Sequence, residues 1–265
     1  MTPSRWMMPA IALLLFTAGC KDHSAASVVE DKIEDKTVAQ NPGAPELSFT
    51  GTWYGMFRSN EVVRMLDKAT GDSILLFPNK ITLFIDQMQD GKISGYSVCA
   101  GNDRPFTGVY TEEGDKIKAI LKEPGDNKND GVFDLVISKN PLSLTGKWMS
   151  FNPAQVGRHY ALTRKNFVYD VTAGQYPQSS MKLLVSDDVN NLYKDELRAM
   201  RNEIYARHGY SFKRREMREL FDNQNWYMPI STDVRKKLTA IEIKNEKLIK
   251  QFEKYADENY DDFGR

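Results

Sequence analysis

Between residues 47 and 165 one short theme recurs: an apolar residue, a hydroxyl residue and a glycine, followed closely by an aromatic ring. It stands as Phe49-Thr50-Gly51 ahead of Trp53, as Ile93-Ser94-Gly95-Tyr96, as Phe106-Thr107-Gly108 ahead of Tyr110, and as Leu144-Thr145-Gly146 ahead of Trp148. A glycine inside a strand marks a bend, a bulge or a close backbone approach, and bends repeated around a sheet are what curling or closing it requires. Turn formers separate the runs: Asp90-Gly91, Gly101-Asn102-Asp103, Glu113-Gly114 and Gly125-Asp126-Asn127. The runs between them, at 81–86, 116–121, 132–138 and 158–163, read as strands. The expectation is an antiparallel meander of roughly eight short strands, either an up-and-down barrel or a tightly curled sheet.

Gly51-Thr52-Trp53 resembles the opening motif of the lipocalin-like barrels, in which the tryptophan plugs the barrel floor. That resemblance implies a carrier of a small apolar ligand. The residues themselves leave two interiors open, a ligand cavity or a core filled by the aromatic side chains, as is usual in small barrels. His159 stands far along the chain from the other histidines and from cysteine, and is read as structural.

After about residue 186 the chain turns charged, arginine-rich and helical in period. Leu197, Met200, Arg201, Ile204, Tyr205 and His208 share one helix face, and Gly209 directly after them suits a left-handed C-terminal cap. Arg201 and His208 lie on the apolar stripe, so they need hydrogen-bonding partners, a carboxylate or helix-end carbonyls. Glu203 and Arg207 are spaced to pair on the exposed side. A second helix over 213–221 would bury Met217, Leu220 and Phe221, and Trp226-Tyr227-Met228-Pro229 would staple the helices together. Thr239 and Glu242 have capping-box spacing, with Ile241, Asn245, Leu248, Ile249, Phe252 and Tyr255 as the inner face of a last helix. The fold class expected is α+β with two segregated domains. A β-barrel-like antiparallel meander occupies 47–166, and a small three-helix domain occupies 186–265. The segment 167–185, broken by Gly174 and Pro177, is read as the linker.

Arg201-Asn202-Glu203-Ile204-Tyr205-Ala206-Arg207-His208-Gly209-Tyr210, with Phe212 and Trp226-Tyr227 after it, resembles the YARHG domain family. The eponymous pentapeptide is intact at Tyr205-Ala206-Arg207-His208-Gly209, and Thr239-Ala240-Ile241-Glu242 and Asn245 match the family's final helix. The resemblance spans about 183–255 and implies an extracytoplasmic module, often found in lipoproteins, with no established catalytic activity. It singles out Arg201, Asn202, Glu203, Tyr205, Arg207, His208, Gly209, Trp226 and Tyr227 as a motif network. A network that defines the fold and a binding or catalytic patch are both compatible with such residues.

No catalytic set is apparent. Glu203 and His208 are about 140° apart around a helix and do not converge. G-x-S-x-G, P-loop and H-E-x-x-H motifs do not occur. With 3 histidines and 2 cysteines the sequence supports neither a zinc site nor a Cys–His nucleophile, and no metal or cofactor is expected. Lys+Arg and Asp+Glu both total 36, which argues against a basic nucleic-acid footprint.

At the N-terminus, Arg5 precedes an apolar run over 7–16 and the small residues Thr17-Ala18-Gly19, which lead into Cys20. A spanning helix needs about 20 apolar residues, so this run reads as a removable signal peptide. Ala18-Gly19-Cys20 resembles a bacterial lipobox, which implies cleavage after residue 19 and a diacylglycerol thioether on Cys20, with acyl chains such as palmitate anchoring the chain. Residues 20–46 hold few large apolar side chains and read as a flexible tether. With Cys20 lipidated, Cys99 has no intramolecular disulfide partner. Together these features predict a lipid-anchored protein of the bacterial envelope, with the outer membrane favoured. It would bind or scaffold there, with an envelope protein or a cell-wall component as partner and no nucleic acid. The alternatives are a small apolar ligand carrier and an envelope hydrolase.

Overall fold

Glycine, turn and alternation patterns each take a definite place in the computed structural model, which describes residues 48–59, 64–66, 73–75 and 77–259. The signal segment, Cys20 and the tether lie outside the described residues. Among the described residues there are ten strands: β1 (Gly51–Ser59), β2 (Arg64–Leu66), β3 (Ser73–Leu75), β4 (Asn79–Gln89), β5 (Lys92–Cys99), β6 (Asn102–Glu113), β7 (Lys116–Lys122), β8 (Gly131–Lys139), β9 (Leu142–Ser150) and β10 (Arg158–Arg164). Strands β4 to β10 run as a meander, and β1 closes it between β10 and β4 into an eight-stranded antiparallel barrel; β2 and β3 form a separate two-stranded sheet.

Closure follows from the sequence. In β7 Ile117, Ala119 and Leu121 are buried and the residues between them are exposed, the period of a one-sided strand. A Cβ on Gly95 would overlap the Phe84 carbonyl, and one on Gly108 would overlap that of Ile120. At Gly95 the register with β4 also slips, between Ile85 and Gln87, so a bulge and a glycine bend the sheet at the same place.

Of the two interiors left open, the filled one is found along most of the barrel. Trp53 is fully enclosed, and its indole donates to the Phe49 carbonyl at 3.1 Å. Leu83, Ile117, Leu135 and Leu144 are buried with it in the same core. Phe57, Phe106, Phe133, Trp148 and Tyr160 then form an aromatic layer with neighbouring rings 5.7–6.5 Å apart.

Among the described residues the helical part has four α-helices rather than the three expected: α1 (Gln178–Met181), α2 (Lys194–Arg207), α3 (Arg215–Phe221) and α4 (Ala240–Asn259). The additional short helix lies in the segment read as a linker. Tyr176 and Leu184 from that segment pack with Leu197, Met200, Ile204 and Ile249. α3 buries Met217 and Phe221 as expected, whereas Leu220 is exposed. On α4 the buried positions are Glu242, Asn245, Ile249 and Ala256, while Ile241 and Tyr255 face outward. The capping box causes this offset: Glu242 turns back to accept from the Thr239 amide at 2.8 Å and so points inward. No helix among the described residues is long and apolar enough to cross a membrane.

The two parts are segregated along the chain, strands before helices, yet they meet. Tyr54 Oη donates to the Tyr227 carbonyl at 2.8 Å, and Lys80 Nζ donates to the same carbonyl at 2.9 Å and to that of Gln224. The Gly101 amide, in the β5–β6 turn, donates to Ser211 Oγ at 2.9 Å. The Trp226-Tyr227 loop thus fastens the helices to the barrel as well as to one another: the Tyr227 ring packs on Phe212 and Phe221, and its hydroxyl donates to the Tyr210 carbonyl at 2.7 Å.

Candidate functional site

The pentapeptide ends α2, and Gly209, at φ +75°, stops it. The Gly209 carbonyl accepts from the Ile230 and Ser231 amides, which ties the helix end to the following loop. Arg207 has no exposed side-chain surface. Its Nε donates to the Ala173 carbonyl at 2.7 Å, Nη1 to Ser179 Oγ and Ser180 Oγ at 3.0 and 2.9 Å, and Nη2 to Glu203. The Glu203–Arg207 pair therefore forms at the expected spacing but on the buried side, a correction to the sequence reading. Residues 173–180 wrap over that face of α2 and enclose it. Glu203 also accepts the Gln175 and Tyr176 amides, at 2.8 and 2.7 Å.

His208 is buried, as its place on the stripe requires, and its Nε2 lies 2.8 Å from Glu242 Oε2. The Tyr169 ring stacks on the imidazole with centroids 4.5 Å apart. Glu242 also accepts from Ser180 Oγ at 2.7 Å and from Tyr169 Oη at 3.0 Å, both at Oε1. Burial raises its pKa, but the hydrogen bonds from His208, Ser180 and the Thr239 amide outweigh that and bring the carboxyl down to about 2. Ser180 bridges the Glu203–Arg207 ion pair and the Glu242–His208 hydrogen bond, since its oxygen accepts from Arg207 while its hydrogen goes to Glu242. A continuous chain, Glu203–Arg207–Ser180–Glu242–His208, results.

The other motif residues stand apart from this chain. Arg201 makes a two-point, half-buried pair with Glu253 on α4, at 2.6 and 3.2 Å. Asn202 donates to the Arg198 carbonyl one turn back. The Tyr205 ring lies 6.1 Å from that of Tyr210. Trp226 packs edge-on against Phe221, and Tyr227 serves the junction with the barrel.

Sequence reasoning missed Tyr169, Gly174, Ser179 and Ser180. Each lies far along the chain from α2, in a segment whose glycine and proline read only as interruptions. Asn245 was placed on the inner face, but its task was not legible: its side chain accepts the Leu184 amide and donates to the Ser179 and Lys182 carbonyls. This enclosed lattice does not have the arrangement of a hydrolytic triad. Ser180 and His208 bond to the same carboxylate rather than to each other, and a nucleophile needs its base within direct reach.

A second constellation lies at the barrel mouth, where a cavity of about 640 Å³ opens beside the helical part. Phe57, Ile81, Phe133 and Trp148 form its apolar wall, and Glu123, Arg104, Arg158 and Arg218 its charged one. Glu123 is buried and accepts from the Gly131 amide at 2.7 Å, Trp148 Nε1 at 3.2 Å and Ser97 Oγ at 3.3 Å. Burial pushes its carboxyl up to about 7 in spite of those donors.

The arginines differ in how far they are satisfied. Arg104 is neutralised by a two-point bond to Asp130, at 2.7 Å for both contacts, and by Asp126. Arg158 lies with its guanidinium 5.3 Å from the Phe57 ring centroid, and its Nη1 is buried with no hydrogen-bond partner among the described residues. Burial and, after it, the neighbouring Arg218 cation act to lower the Arg158 pKa. Arg218, on α3, donates to the Lys213 carbonyl. The Cys99 thiol on the same wall is pushed up to about 12, by burial first and by Asp222 next, so it is not an activated nucleophile.

Comparison with protein families places a known domain on the helical part: residues 174–254 match the YARHG domain model, so the chain contains that domain. The match begins at Gly174, the residue that closes over Glu203, and includes Ser179, Ser180 and the capping box of α4. No curated protein matches the chain.

Proposed function

With residues 174–254 taken as a YARHG domain, we propose that this chain is a lipid-anchored binding protein of the bacterial envelope. In this reading the YARHG lattice is a rigid frame and the barrel mouth is the binding site. The observation that carries it is the shared wall of the mouth cavity, to which α3 contributes Arg218 and the barrel contributes Phe57, Trp148 and Arg158. A volume of this size lies within the range of small-molecule sites. The packed aromatic layer below speaks against a deep apolar cargo, and the charged wall favours a ligand with a polar group.

Support for the anchor is the Ala18-Gly19-Cys20 lipobox and the polar stretch after it, which would lift the folded part from the bilayer. A photo-crosslinking residue at Ala154, on the cavity rim, tests the site in intact envelopes against the same residue at Lys118, on the outer face of β7. Adducts specific to the rim are expected; equal labelling at both positions would remove the mouth from consideration. Metabolic labelling with an alkyne fatty acid tests the anchor: the label should vanish in Cys20→Ser, and a label that persists would refute lipidation there.

A further inference from the structure

The charged wall of the mouth cavity is unevenly satisfied, and the imbalance defines a ligand. Asp130 is fully buried and committed to Arg104 and to the Gly125 and Asn127 amides. Glu123 is committed to three donors. No carboxylate among the described residues makes an ion pair with Arg158 or Arg218, and Arg158 Nη1 is a buried donor without an acceptor. A buried, unpaired donor of this kind destabilises the fold, the more so when charged, and an arriving acceptor would relieve it. We propose that the cavity binds a small organic anion, a single carboxylate on a flat apolar or aromatic body, with Arg158 as its principal partner and Arg218 as a second.

Each part of that ligand answers to a part of the wall. The guanidinium fork matches a carboxylate in two-point geometry and retains its charge where an ammonium would lose it. Phe57 and Trp148 line the cavity beside Arg158, so the body of the ligand lies against them while its charged end faces the guanidinium. Glu123 faces the same space and limits the charge that can enter: a dianion such as a phosphate monoester would meet a carboxyl at close range, whereas one negative charge is offset by two guanidiniums. Arg218 comes from α3, so the helical part contributes to recognition.

The inference rests on the mouth being the binding site, and its test separates the two. 1-Naphthoate and its neutral isostere 1-naphthamide are titrated into the full chain, and the Trp148 indole N–H resonance is followed, assigned through Trp148→Phe. The acid should bind at least about tenfold more tightly than the amide. Arg158→Gln should abolish that preference while leaving amide binding in place, which shows that the cavity is still formed. Arg158→Lys, which keeps a cation and an aliphatic stem over Phe57, should retain part of it. Arg218→Gln should reduce the preference even if Arg158→Gln does not fold. Equal affinity for acid and amide, or a preference unchanged in the arginine variants, overturns the anion assignment and leaves the pocket standing. A resonance that neither probe moves overturns both.

Discussion

The carboxylate of Glu203 occupies the space that a side chain on Gly174 would need. Gly174 has φ +97°, and a Cβ there would overlap both carboxylate oxygens. That conformation presents the next two amides, of Gln175 and Tyr176, to Glu203. Gly174→Ala should therefore combine backbone strain with displacement of a buried carboxylate, at a cost of about 2 kcal/mol or more. Thermal melting of the full chain is the check, with a fall of several degrees expected and an unchanged midpoint counting against the arrangement.

The two arginines of the motif should differ. Arg207 is fully buried with every hydrogen bond made inside the protein, and Arg207→Ala leaves Glu203 charged and enclosed, a loss of about 3–5 kcal/mol. Arg201 is partly exposed, and Arg198 also lies within 3.5 Å of its partner Glu253, so Arg201→Ala should cost about 1 kcal/mol. Urea unfolding of both variants would reveal the ranking; equal losses would show that the buried lattice is not what stabilises the helical part.

Glu242 gives an acid limb. Its carboxyl falls from an ordinary 4.5 to about 2 in the fold, so the folded state holds the ionised form more strongly than the unfolded chain does. That contribution is complete above about pH 4.5 and is lost as pH falls towards about 2. Glu242→Gln should be less stable than the native chain near pH 7, and the difference should shrink near pH 3. A difference independent of pH in chemical unfolding would refute the assignment.

Glu123 gives the opposite slope. With its carboxyl pushed from 4.5 to about 7, the folded state favours the proton, so its contribution is full below the ordinary value and is lost as pH rises through about 7. Gln is isosteric and can still accept from the Gly131 amide and the Trp148 indole. Glu123→Gln should therefore gain stability relative to the native chain between about pH 5 and about pH 8. A gap that stays constant over that range would contradict the burial argument.

At the junction, two deletions of one hydrogen bond should differ in cost. Tyr54→Phe removes a donor from the Tyr227 carbonyl, which retains Lys80, for about 0.5–1 kcal/mol. Ser211→Ala leaves the Gly101 amide buried without an acceptor, for about 1–3 kcal/mol. Denaturant midpoints decide the order, and a larger effect in Tyr54→Phe would reverse it.

What the sequence determined by itself was local and periodic. Alternation in runs such as Ile117, Ala119 and Leu121 specified strands, the glycines at 95, 108 and 146 specified a sheet that must bend, and the Thr239–Glu242 spacing specified a helix start. The pentapeptide placed Arg207 and His208 at the end of α2 with Gly209 as its stop. Those features act within a turn or between adjacent strands, so the residues that cause them are neighbours in the chain. What only the tertiary structure decided was which side of α2 is inside. Glu203 and Arg207 have the spacing of a surface pair, and they are buried because residues 173–180, an interruption by composition, fold across them. The barrel mouth was equally hidden: Arg158 and Trp148 sit in ordinary strand positions, and Arg218 sits on a short helix far along the chain. Burial, charge balance and the unpaired Arg158 Nη1 depend on which distant groups arrive at the same place, and no local pattern carries that information.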